Sequence, residues 1–210
     1  MQNESPNHSP RRSLTKLFRQ EARFIAGANK PGDLPEITLP QVAFIGKSNV
    51  GKSSLINLIL NRKSLARVSN TPGRTRQINF FLLAEKLVLV DLPGYGFAKV
   101  PLSEKQNWEK LILHYLHNSP NLRLVNVLID ARRGIKENDL KVLEILRSCQ
   151  KTVQIVLTKA DKVKLDKNFQ SEIKNYLETL GYFICNVVLS SSKSGSGAKE
   201  LQLGLAQYIQ

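Results

Sequence analysis

The stretch Gly46-Lys47-Ser48-Asn49-Val50-Gly51-Lys52-Ser53, followed by Ser54, separates two glycines by four residues and follows them with a lysine and a hydroxyl. This spacing suits a loop that cradles phosphate. The glycines let the backbone close around an anion, Lys52 reaches the outer phosphates, and the Ser53 hydroxyl supplies an oxygen to Mg2+. An apolar strand-like run, residues 42–45, precedes the loop, and a helix-like run, residues 55–60, follows it. A strand turning sharply into a helix aims several backbone N–H groups at one point, where the helix N-terminus adds partial positive charge. The alternative is an ordinary Gly/Ser-rich turn, against which the flanks argue.

Four further stretches fall where a nucleotide switch needs them. Asp91-Leu92-Pro93-Gly94 closes the apolar run 87–90, so its carboxylate sits at a strand end, where it can hold Mg2+ through water. The Gly94 N–H is then a candidate contact to a γ-phosphate. Thr158-Lys159-Ala160-Asp161 also follows an apolar run. A carboxylate at Asp161 accepts both the N1–H and the 2-amino group of guanine, and adenine offers neither donor; a lost charge-assisted contact costs about 1.5–3 kcal/mol. Lys159 lays its aliphatic stem along the base. The competing reading of this stretch is a strand end followed by a charged helix cap. Ser190-Ser191-Ser192-Lys193 offers backbone N–H groups to the guanine O6, a weak signal by itself. Thr71-Pro72-Gly73-Arg74-Thr75-Arg76-Gln77 places Thr75 to bring a second hydroxyl to Mg2+ only while the γ-phosphate is present, which makes the loop a switch. Residues 62–76 hold five basic side chains and no acid, so a solvated basic loop is the alternative.

The elements that must position these residues alternate between strand-like and helix-like segments. Strands are predicted over 41–45, 78–84, 87–91, 122–130, 152–158 and 187–190, and helices over 52–60, 103–117, 137–148, 166–180 and 198–208. Near-continuous apolar runs fit strands buried on both faces, and the alternation fits a wound α/β sheet. Only Glu85-Lys86 separates the second and third strands, too short for a parallel crossover, so they form an antiparallel hairpin. The expectation is a mixed, six-stranded, mostly parallel sheet with one antiparallel edge strand and helices on both faces. In the second helix Trp108, Leu111, Ile112, Tyr115 and Leu116 form a core stripe, while His114 and His117 read as surface residues. Residues 1–12 read as a polar tail, 14–26 as a short helix or packed arm, and 29–35 as a loop. The chain therefore divides into a basic tail and arm, 1–23, and one domain, 24–210.

Lys and Arg number 31 against 17 acidic residues, a net charge of +14. That excess favours a polyanionic partner, nucleic acid or an acidic membrane surface, although a soluble protein can simply be basic. No apolar run is long enough to span a bilayer, and the polar N-terminus argues against secretion. Cys149 and Cys185 are expected to be buried thiols in a reducing compartment.

Taken together, the residues 44–57, Thr71-Pro72-Gly73-Arg74-Thr75, Ile78-Asn79-Phe80-Phe81, Asp91-Leu92-Pro93-Gly94-Tyr95-Gly96 and Thr158-Lys159-Ala160-Asp161 resemble the translation-factor-related GTPases, and among them the EngB (YihA/YsxC) group. The resemblance runs from about residue 24 to the C-terminus. It implies a P-loop NTPase fold of the Ras-like G-domain kind, binding of GTP or GDP with Mg2+, and a cytoplasmic, monomeric GTPase of the bacterial ribosome-assembly group. The implied partners are the large ribosomal subunit precursor and ribosomal RNA, with a link to cell division and septation. The basic surface is independently compatible with ribosomal RNA.

No residue is assigned as catalytic. Lys52, Thr75 and Gly94 are expected as transition-state and switch contacts. Ras-like enzymes orient water with a Gln after the Asp-x-x-Gly turn; here Tyr95 stands there, which predicts slow intrinsic hydrolysis. Asn49 resembles a K+ ligand of some related GTPases. Thr158 stands where many GTPases have Asn, so one bond bracing the loop is expected to be weaker and nucleotide affinity micromolar. Two rival readings are a septation protein that uses GTP to assemble with itself or a membrane, and an ATP-using nucleotide kinase. Asp161 and the lack of a long lid insertion argue against the kinase.

Overall fold

The computed structural model describes residues 16–67, 77–96, 102–164, 166 and 168–209, with the backbone alone at 102–105 and 108. Gly73, Arg74, Thr75 and Arg76 of the expected switch, the tail 1–12 and the Trp108 side chain lie outside the described residues.

Among the described residues seven strands form one sheet: β1 (Ala22–Ala28), β2 (Gln41–Gly46), β3 (Ile78–Leu83), β4 (Leu87–Asp91), β5 (Leu122–Asp130), β6 (Val153–Thr158) and β7 (Ile184–Leu189). Their order is β1-β3-β4-β2-β5-β6-β7. The helices are α1 (Lys52–Ile59), α2 (Leu102–Asn118), α3 (Glu137–Ser148), α4 (Phe169–Thr179) and α5 (Ala198–Ala206). Every residue of β2, β3, β4 and β6 is buried, as expected of apolar runs covered on both faces. Side-chain alternation divides the core in two. Val125, Val127 and Ile129 of β5 face Leu111 and Tyr115 of α2, Leu143 and Leu146 of α3, and Leu177 of α4. Leu124 and Leu128 face the opposite way, toward Leu55, Ile56 and Ile59 of α1 and Leu201 and Leu205 of α5.

The α/β class and the β3–β4 hairpin are as expected, but the sheet has seven strands rather than six. The described part of the expected short helix or packed arm, residues 16–26, is not one helix: its second half is a strand. A short 3-10 turn, Leu17–Arg19, leads into β1, which pairs antiparallel with β3 from Ala22↔Leu83 to Ala28↔Ile78. The antiparallel strand β3 is therefore interior, and β1 is the edge outside it. The turn anchors this edge by burying Phe18 fully in the α1–α5 side of the core. β7 begins at Ile184, earlier than its apolar run, because Cys185 and Asn186 are exposed on the other sheet edge. Cys149 is buried as expected, whereas Cys185 is exposed.

Candidate nucleotide-binding site

The parallel registers Phe44↔Asp91, Gly46↔Leu128 and Asp130↔Thr158 bring the C-terminal ends of four strands to one rim. Gly46 ends β2 and Lys52 opens α1, so the phosphate-type loop is the turn between them. Its backbone is left-handed at Asn49 (φ 61°) and Gly51 (φ 103°). Gly46 is fixed by space rather than by dihedral: a Cβ there would lie 2.8 Å from Val50 Cγ1 and 2.9 Å from both Leu128 Cβ and its carbonyl oxygen.

The turn after β4 runs against this loop. Leu92 N–H donates to Phe44 O at 3.0 Å, Tyr95 N–H to Gly46 O at 3.2 Å, and Ser48 N–H to Tyr95 O at 3.1 Å. Gly94 permits that approach, since a Cβ there would stand 3.2 Å from Gly46 O. Leu92 and Pro93 are buried beneath it. Lys52 Nζ forms an ion pair with Asp91 Oδ1, and both side chains are nearly fully buried. Ser53, in the first turn of α1, and Asp91 supply the hard oxygen donors that suit Mg2+, so the residues fit that ion.

The third segment is held to the same loop by side chains. Thr158 Oγ1 donates to Val50 O at 2.8 Å, and Lys159 Nζ donates to Asn49 O at 2.9 Å. Thr158 thus braces the loop with its hydroxyl in the absence of an amide. Lys159, itself left-handed (φ 57°), also reaches Asp130 Oδ2 at 2.9 Å. Next to it Ala160 N–H donates to Ser190 O, and the Ser191 hydroxyl donates to Asp161 Oδ1 at 2.6 Å. That hydrogen bond holds the exposed Asp161 carboxyl below the usual carboxylate range. The N–H groups of Ser190 and Ser191 donate to Leu157 O and Ser196 O, which directs any contact from this loop to Ser192 and beyond. The structure therefore joins residues 46–54, 91–95, 158–161 and 190–192 at one rim. Gln77 stands apart: its amide donates to Asn79 Oδ1 at 2.7 Å and lies over Gly27 of β1.

Two partners escaped the sequence reading. Asp130, at the end of β5, receives Arg132 Nε at 2.9 Å and Arg132 Nη2 at 2.7 Å as well as Lys159. The Arg132 hydrogen bonds, then Lys159, hold its carboxyl well below the usual range. An Asp two residues before an Arg at a strand end was the available signal. The other is Asp139 of α3, whose Oδ1 accepts the Tyr95 hydroxyl and whose Oδ2 accepts Lys136 N–H at 2.7 Å.

A strand-loop-helix cradle for phosphate, with a carboxylate turn beside it and a second carboxylate held by a serine loop, is the arrangement of a P-loop G domain. Solved structures agree on that fold. A crystal structure of a probable GTP-binding protein engB superposes with TM-score 0.63 at 24% identity, covering 80% of this chain and 98% of that one. Era in complex with MgGDPNP and nucleotides of 16S ribosomal RNA superposes with TM-score 0.64 at 23% identity, covering 83% of this chain and 58% of that one. Residues 41–159 match the family model described as 50S ribosome-binding GTPase. The probable GTP-binding protein EngB of Rickettsia felis is 60% identical over 195 residues, 93% of this chain and 92% of the relative. The chain belongs to the EngB family of GTP-binding proteins.

Proposed function

We propose that this chain is a slow, Mg2+-dependent GTPase switch of the cytoplasm that acts on the large ribosomal subunit precursor and its RNA, and that normal cell division and septation require it. The observation that carries the reading is the convergence of the phosphate loop, the Asp91 turn and the Ser191-braced Asp161 on one rim. In this reading residues 46–54 cradle the phosphates, with Lys52 on the outer ones. Asp161 accepts from the guanine edge, Lys159 lies along the ring, and Thr158 and Ala160 place both. Ser190, Ser191 and Ser192 form the wall beside O6. Ser53 and Thr75 ligate Mg2+ and Asp91 holds it through water; the ion, when bound, neutralises charge on the β- and γ-phosphates. Gly73 to Gln77 and the Gly94 N–H respond to the γ-phosphate. The arm ahead of residue 24 docks on the domain through Phe18.

Slow turnover is supported by Tyr95, whose hydroxyl is engaged by Asp139. Relatives named as GTP-binding proteins support the nucleotide, and the 50S ribosome-binding family description supports the ribosomal assignment. The net charge of +14 suits an RNA-rich partner. Among the described residues no helix is long and apolar enough to cross a membrane.

The test has two arms. Asp161→Asn is expected to shift preference from guanosine to xanthosine diphosphate, and unchanged preference would remove Asp161 from the base site. The GTP-loaded protein is expected to cosediment with large-subunit particles; polymerisation or liposome binding in their place would favour a septal assembly role. Comparing turnover in K+ and Na+ buffers tests Asn49 as a K+ ligand, which equal rates would exclude.

A further inference from the structure

The rim opposite Gly46, Asp91 and Asp161, where β6 and β7 begin, carries a pocket of about 260 Å3. Leu143 of α3 and Val153 and Ile184 at the strand starts give it an apolar floor, and Tyr182 and Phe183 stand at one wall. The other wall is polar and cationic, with Arg147 and Lys151, and no carboxylate lines it. The aromatic wall is held in place. Tyr182 N–H donates to Leu177 O at 3.0 Å, and Gly181 turns left-handed (φ 81°) where a Cβ would press Arg147 Nη1 at 3.3 Å. The Arg147 guanidinium stacks over the Tyr182 ring with its carbon 5.5 Å from the centroid, and Glu144 pairs with it at 2.8 Å. Phe183, by contrast, is 80% exposed beside the opening.

A solvated phenylalanine next to a ready pocket marks an interaction surface. Among the described residues, three of the four exposed large apolar side chains, Tyr176, Leu180 and Phe183, fall within residues 176–183. The pocket is smaller than the roughly 300–1,000 Å3 of sites for drug-sized ligands, so it suits one planar ring rather than a whole nucleotide. An aromatic face for stacking beside cations for the backbone is the composition of a single-strand nucleic-acid platform. Lys151 and Arg147 at its side, which a purely apolar protein segment would leave unmatched, favour a polyanion as the occupant.

We infer that this pocket is a second binding site, which takes an unpaired base of single-stranded RNA against Phe183 while Lys151 and the remaining N–H groups of Arg147 meet the flanking phosphates. The inference rests on the ribosomal reading above for the source of that RNA. Because it lies at the strand starts, RNA held here leaves the guanine-nucleotide rim open.

The experiment uses the full chain loaded with GDP and a short, fluorescently labelled single-stranded RNA, read by anisotropy over a range of salt. Phe183→Ala is expected to weaken binding by about 5- to 150-fold, the span of one lost base–aromatic stack, with GDP affinity and thermal midpoint unchanged. Lys151→Ala is expected to lower the slope of log affinity against log salt by about 0.7, one phosphate contact on a single strand. Binding by Phe183→Ala within twofold of the parent overturns the inference, as does a parent that binds no RNA. Loss of particle cosedimentation by Phe183→Ala without loss of oligonucleotide affinity assigns the pocket to a protein and also overturns it. Parent cosedimentation that survives Phe183→Ala, with unchanged oligonucleotide affinity, overturns the pocket but leaves the ribosomal reading standing. A parent that does not cosediment defeats that reading instead.

Discussion

The Tyr95 hydroxyl donates to Asp139 Oδ1 at 2.5 Å, which ties the turn after β4 to the first turn of α3. Both residues are buried, and burial, followed by the Asp139 charge, pushes the phenol well above its ordinary pKa. Tyr95 is therefore a neutral donor at physiological pH and packs as part of the core. The same Asp139 accepts the Lys136 N–H in front of α3, so one carboxylate closes a helix and anchors the turn. Tyr95→Phe is expected to lower stability by about 1.5–3 kcal/mol, the scale of a hydrogen bond to a charged group, in urea unfolding. Single-turnover GTP hydrolysis should change little. A fall of about 100-fold, the scale of lost proton-transfer catalysis, would place the hydroxyl at the reacting water instead.

Asp130 links the phosphate loop to pH. Its folded-state pKa is depressed by Arg132 and then by Lys159. The stability it contributes is therefore fully present above the unfolded-state value of about 3.9, and is lost as pH falls through the lower folded-state value. At pH 7 Asp130→Asn should be less stable by about 1–2 kcal/mol, since Arg132 is half exposed and its share is screened. Urea midpoints of the two proteins should converge as pH drops below about 4. A gap that stays constant across that range would show that the charge on Asp130 is not what stabilises the fold.

Thr158 braces the loop with one hydrogen bond, so size and hydroxyl can be separated. Thr158→Val keeps the shape but leaves the buried Val50 carbonyl without that donor, at a cost of about 1–3 kcal/mol. GDP affinity, measured by titration of labelled nucleotide, should fall by about tenfold for each 1.4 kcal/mol that reaches the bound state. Thr158→Ser should restore most of it. Full GDP affinity in Thr158→Val would mean that the hydroxyl does not brace the loop, and equal weakening by both variants would mean that the methyl group counts as much as the hydroxyl.

Gly46→Ala puts a methyl group against Val50 Cγ1 and the Leu128 backbone, neither of which is the free end of a flexible chain. Overpacking of this kind costs about 1–3 kcal/mol. The loop must shift to admit it, so loss of GDP binding should exceed what the drop in melting temperature alone explains. Full retention of GDP affinity would show that the loop tolerates the displacement.

Legibility in the sequence followed burial. The central strands β2, β4, β5 and β6 are covered on both faces, and their apolar runs announce them. β1 is half covered: Ala22 and Ala28 are buried, while Arg23 and Phe24 are exposed. The apolar residues Phe24 and Ile25, following Leu17 and Phe18, imitate helical spacing in the sequence until pairing with β3 decides otherwise. The phosphate loop, the Asp91 turn and the Asp161 segment were legible because their chemistry needs fixed residue types at fixed offsets. The links Tyr95 to Asp139 and Lys159 to Asp130 were not, and for Thr158, expected to brace the loop, the partner Val50 was not. Each joins positions distant in sequence through a single side-chain atom, and no periodicity encodes that.

The β3–β4 hairpin lies between β1 and β2 in the sheet although both precede it in the chain. On a chain emerging from N- to C-terminus, neither early strand has a neighbour to join until that hairpin has been made. Ala22 then waits for Leu83, a lag of roughly 3–12 s at elongation rates of about 5–20 residues per second. The hairpin is thus a clasp: one arm gathers the first strand and the other gathers the strand that feeds the phosphate loop.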